Sequence, residues 1–112
     1  MLNSLQMALC DTQGQLFELA AERGYASEVF IKVYMTSAVA ADMDKEFHHI
    51  QWAGKAYILS RMEDELADQL IKGGEIYDKE ALYWMGYIYR YWHFYTGESS
   101  REIYKQAPAK TM

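Results

Sequence analysis

Tyr83-Trp84-Met85-Gly86-Tyr87-Ile88-Tyr89-Arg90-Tyr91-Trp92-His93-Phe94-Tyr95 is the stretch on which the reading of this chain turns. Eight of its thirteen residues are aromatic, and Gly86, Arg90 and His93 interrupt them. Aromatic residues favour strands, but the boundaries point to a helix. Asp78 is a good N-cap immediately before the run, and Gly97 supplies the positive-φ position at which helices commonly end. No turn signal lies between them, and roughly 18 residues are too many for one strand. Helical spacing sorts the segment into two apolar rows, Leu82-Met85-Tyr89-Trp92-Tyr95 and Trp84-Ile88-Tyr91-Tyr95. A narrow polar stripe at heptad spacing remains: Lys79, Tyr83, Gly86, Arg90, His93 and Gly97. A helix apolar over most of its girth belongs inside a domain. Residues 79–96 are therefore expected to form an enclosed central helix.

Working outward, Ser99 with Glu102 three residues on is a capping box that opens a short helix, limited by Pro108. Towards the N-terminus, Leu5, Leu9, Leu16, Leu19 and Ala20 recur at helical spacing up to Arg23-Gly24, with a bend or break expected near Asp11-Thr12-Gln13-Gly14. Ser27 opens a second helix carrying Phe30, Ile31, Tyr34, Met35 and Ala38, with a soft end near Asp42-Met43-Asp44. A third, capped by Asp44, is expected to bury Trp52, Ala56, Leu59, Met62 or Glu63, Leu66 and Leu70, to kink at Gly54 and to stop at Lys72-Gly73-Gly74. One proline, no hairpin turn and no repeat give an all-α fold: a compact bundle of about five helices in one domain spanning residues 1–112.

A chain of 112 residues can bury a core without staples. The single cysteine, Cys10, excludes an intramolecular disulfide and a cysteine-based zinc site. Met1-Leu2-Asn3-Ser4 has neither the basic residues nor the apolar run of a signal peptide, and no apolar run reaches membrane-helix length, so a cytoplasmic protein is expected. Residues 1–78 carry 13 acids and 6 bases, −7; residues 79–112 carry 3 acids and 5 bases, +2. An acidic body disfavours nucleic acid, where phosphate neutralisation supplies most of the affinity.

Motifs for chemistry are sparse. No nucleophile elbow, P-loop, dinucleotide glycine motif or zincin motif is present, and neither a cofactor nor an enzymatic activity is expected. Glu46-Phe47-His48-His49 has the Glu-x-x-His spacing of di-iron bundles, but the second copy is missing, so the pair reads as solvated and no metal site is assigned. Glu63, Asp64, Glu65 and Asp68 form an acidic cluster suited to a basic partner. Arg90 and His93, one turn apart with Tyr83, Tyr87 and Phe94 around them, read either as an interface anchor or as internally paired polar groups. A five-helix domain cannot readily enclose eight rings from one helix, so some are expected to surface and bind a partner.

Two likenesses attach to the C-terminal part. Gly97 to Lys105 looks like the first helix of a helix-turn-helix unit, in which Arg101 and Lys105 would contact nucleic acid. The recognition helix would have to follow, and residues 109–112 are too few to fill a major groove. Residues 82–107, an aromatic helix followed by Thr96-Gly97 and by Ser99-Ser100-Arg101-Glu102-Ile103-Tyr104, resemble small helical bacterial antitoxin-like proteins found beside ADP-ribosyltransferase-like toxins. That resemblance implies a cytoplasmic non-enzyme that covers a partner protein, a cognate toxin, and carries no catalytic residues. The expectation is an interaction module binding a partner protein or itself, with a DNA-binding regulator as the alternative.

Overall fold

A computed structural model describes residues 2–46 and 48–111. Met1, Met112 and Phe47, the last inside the Glu46–His49 motif, lie outside the described residues, so the reading of the first four residues is only partly covered. Six α-helices are described: α1 Ser4–Glu22, α2 Ser27–Met35, α3 Ala38–Asp44, α4 Lys55–Leu66, α5 Lys79–Thr96 and α6 Ser100–Gln106. The only β-type pairing among the described residues is an isolated bridge between Tyr25 and Lys72. The all-α bundle is as expected, and α5 has the expected limits. Asp78 Oδ2 accepts from the amides of Glu80 and Ala81, and Gly97 closes the helix at φ 78°.

Three local expectations change. The second helix is divided, because Ser37 begins a new one: its Oγ accepts from Ala40 N at 3.1 Å, while Thr36 Oγ bonds back to Lys32 O. Short hydroxyl side chains offer the backbone such alternatives to a continuous helix. The third helix starts later and stops earlier than its apolar pattern suggests. Gly54 at φ +85° breaks the chain rather than kinking it, the preceding His49–Trp52 is one 3-10 turn, and Trp52 is 66% exposed. Leu59 and Met62 are buried as expected, Leu66 and Leu70 are half-buried, and Ala56 is exposed. Asp44 ends α3 instead of starting a helix.

The first helix, in contrast, runs unbroken through Gly14. It lies at the middle of the bundle, packed along α5 and against α4 and α2. Phe17, from its inner face, meets Phe30, Tyr34 and Tyr89 edge-on, with ring centroids 5.8–6.4 Å apart. The start of α2 is fixed by the 70–78 connection. Its first amides find carbonyls there, Ala26 N to Ile71 O at 2.7 Å and Ser27 N to Glu75 O at 2.9 Å.

The α1–α5 crossing is made by two glycines. A Cβ on Gly86 would sit 2.6 Å from Gln13 O and 2.8 Å from Gly14 Cα, and one on Gly14 would sit 2.6 Å from Tyr83 O. These neighbours are main chain and cannot turn aside. On an open helical surface Gly→Ala stabilises by about 1 kcal/mol. At Gly86 overpacking reverses the sign: Gly86→Ala is expected to destabilise the fold by about 2 kcal/mol, read as a lower midpoint in urea unfolding.

Candidate protein-docking face

The middle of the α5 polar stripe, Tyr83 to His93, points inward, while Lys79 and Gly97 at its ends are exposed. Gly86 and Arg90 are buried, Arg90 completely, while Tyr83 and His93 are half-covered. Arg90 Nη1 donates to Asp44 Oδ1 at 2.6 Å, its Nε and Nη2 donate to Gln13 Oε1 at 3.1 and 2.8 Å, and Nη2 also reaches Ser100 Oγ at 3.3 Å. Gln13 Oε1 accepts from Tyr34 OH at 2.7 Å as well, and its Nε2 donates to Gly86 O at 2.8 Å. Asp44 is held from α6: Ser100 N donates to Oδ2 at 2.8 Å and Ser100 Oγ to Oδ1 at 2.7 Å. One guanidinium thus ties α1, α3, α5 and α6 together. Among the described residues no buried side-chain nitrogen or oxygen lacks a partner. Of the two readings of Arg90, the structure supports internal pairing. An interface anchor must reach solvent, and this side chain does not.

Of the two apolar rows, the first is inside as expected up to Trp92: Leu82 and Tyr89 are buried, and Met85 and Trp92 pack on the core. The second, also expected inside, is turned out. Trp84, Ile88, Tyr91 and Tyr95 are 49%, 47%, 44% and 79% exposed along one face of α5. The enclosure expected for residues 79–96 is therefore one-sided, and rings do surface. These rings are pre-arranged. Tyr91 and Tyr95 stack with planes 16° apart and centroids at 6.3 Å, while Trp84 lies 5.0 Å from Tyr83 and 5.5 Å from Tyr87. Between Ala81 and Thr96 the only residue with a permanent charge is Arg90, and it is inside.

The other sequence-named residues are scattered. Tyr83 donates to Asp11 Oδ1 and Tyr87 flanks the exposed row. His93 and Phe94 line a cleft of about 510 Å³ between the start of α1 and the end of α5. His93 Nδ1 lies 2.6 Å from Glu98 O; a carbonyl can only accept, so Nδ1 carries the hydrogen. Of the acidic cluster, Glu63 accepts from Tyr25 OH and pairs with Arg23 at 3.6 Å, and Glu65 pairs with Arg61 at 2.7 Å. This leaves Asp64 and Asp68 exposed on and just beyond α4, away from the α5 row in sequence and on another element. Arg101 donates to Thr36 O, and Lys105 is exposed on α6. Glu46 and His49 do not share a helical face, since α3 has ended before Glu46 and His49 starts a 3-10 turn. No group of three metal-ligating side chains occurs among the described residues. The Cys10 thiol is buried and pushed up to about 11, chiefly by loss of hydration, so it is protonated at neutral pH.

Sequence reasoning missed Gln13, Asp44 and Ser100 as partners of Arg90. The usable signal is the polar run of α1, which taken by itself reads only as a weak point in that helix. Comparison of the chain with protein-family models, curated proteins and solved structures returned no match. No helix among the described residues is long and apolar enough to cross a membrane.

The Tyr83–Asp11 bond gives a test of the α1–α5 register in solution. That bond first, and then partial burial, push the Tyr83 hydroxyl up from 10 to about 12. A raised pKa means that the bond's contribution is complete below pH 10 and lost as pH rises through about 12. The stability difference between the parent and Tyr83→Phe, measured by urea unfolding, is expected to be constant up to pH 10 and to shrink above it.

Proposed function

We propose that this chain is a non-enzymatic interaction module that covers a protein surface, that of another protein or of another copy, with the outer face of α5. The observation that carries the reading is the exposed row Trp84, Ile88, Tyr91 and Tyr95. Tryptophan and tyrosine dominate binding hot spots because they cover much apolar area while losing few rotamers. Taking roughly 200 Å² for each fully exposed ring, the three rings of this row leave on the order of 350 Å² open, with Ile88 in addition. A patch of that size falls in the range of the largest patch on a typical monomer, about 300–600 Å², which is often functional.

The antitoxin-like resemblance of residues 82–107 supports the same mode of action, a cytoplasmic protein that acts by occluding a partner such as a cognate toxin. Asp64 and Asp68 on the acidic side would speed encounter with a basic partner without fixing its pose. Tyr87, half-covered beside Trp84, and Phe94 at the cleft edge are the sequence-named residues that border this face.

A photo-crosslinking residue placed at Tyr91 in cells of the native host tests the reading, with Lys32, exposed on α2, as the control position. Position 91 is expected to give a discrete protein adduct that position 32 does not. Equal or absent adducts at the two positions would remove the docking face.

A further inference from the structure

We infer that the occupant of this face is a second copy of the chain, its α5 antiparallel to the first; the inference rests on the docking reading above. The exposed residues of the row fall at 84, 88, 91 and 95, a 4-3-4 spacing that is unchanged when the helix is reversed. With Ala81, also exposed, they make the a and d positions of a short coiled-coil seam. A two-fold axis crossing α5 between Tyr89 and Arg90 carries the four positions of the row onto one another. Trp84 then meets the partner copy's position 95, and Ile88 meets its position 91.

The flanks point the same way. In helix pairs the e and g positions choose the partner by charge. Between Trp84 and Tyr95 they are Met85, Tyr87, Trp92 and Phe94, all uncharged; Glu80, just before Ala81, is the one charge on the flank and lies at the end of the seam. The 84–95 part of the face therefore has no charge to repel its own copy and none to select an oppositely charged partner. An isologous contact needs only this kind of self-complementarity.

Size sets the expected strength. Stable complexes cover about 800 Å² on each partner, roughly twice what the four side chains offer. The half-covered flanks extend the contact, but Ala81 falls opposite position 98, past the end of α5 at Thr96, so the pairing is expected to be reversible and concentration-dependent rather than permanent.

Light scattering and sedimentation of the purified full chain decide the matter. The mass is expected to rise from one chain to two as concentration approaches about 300 µM, above the micromolar affinity expected of small interfaces. Ile88→Glu and Tyr91→Lys, each at an exposed position and checked for parent-like circular dichroism, are expected to weaken self-association at least tenfold. Mixing the two variants should recover association, because antiparallel pairing sets the carboxylate introduced at position 88 of one chain against the ammonium introduced at position 91 of the other. A chain that stays monomeric throughout overturns the inference. So does a dimer that Ile88→Glu leaves intact, and failure of the mixture to recover overturns the antiparallel register. A monomer that still gives an adduct with a different protein from position 91 in cells would remove the second copy while leaving the docking face in place.

Discussion

The Arg90 guanidinium, enclosed between Gln13, Asp44 and Ser100, is the constraint on which the rest of the structure depends. A cation taken wholly out of water must be matched by an anion and by acceptors for its remaining hydrogens. Asp44 supplies the charge, and Gln13 Oε1 supplies the acceptor, itself oriented by Tyr34 OH and by the donation of its amide to Gly86 O. Satisfying one side chain therefore sets the rotation of α5, its register on α1, the position of the end of α3 and the start of α6. Gly14 and Gly86 make this possible by letting the two backbones approach closely enough for Gln13 to reach across.

The rotation of α5 has a consequence for function. An amphipathic helix usually turns its apolar face to the core and its polar face to water. Here the middle of the polar stripe is inside, and the aromatic row Trp84-Ile88-Tyr91-Tyr95 is left outside. The inner rings, led by Tyr89, join Phe17 and Tyr104 in the core, and the Tyr89 hydroxyl finds Ala107 O. The opposite rotation would turn Leu82 and Tyr89 to water, replace the close approach of Gly14 and Gly86 with bulky rings, and leave Gln13 and Asp44 without the guanidinium that satisfies them. What the bundle gives up in burial on that side is available to whatever binds there.

Much of the fold was legible in the sequence. The capping signals at Asp78, Ser99 and Gly97 act through local chemistry and mark the limits of α5 and α6 almost to the residue. The break at Ser37 and the late start of α4 were harder. Both depend on local hydrogen bonding and a positive-φ glycine, against apolar patterns that continue straight through. The candidate face was half legible: excess ring surface on one helix was visible, but which rings surface depends on the partner of Arg90. The matching polar run, Asp11-Thr12-Gln13-Gly14, lies more than seventy residues away, and periodicity within one helix carries no information about its register on another. Spacing told which residues share a face and left open which face is inside.

The inward setting of Arg90 is tested most directly by urea unfolding of Arg90→Met, Asp44→Asn and the double variant. Removing one member of a buried pair strands the other, so each single change is expected to cost about 3 kcal/mol or more, and the double variant clearly less than their sum. An Arg90→Met protein within about 0.5 kcal/mol of the parent would behave as a surface substitution does and would contradict the account.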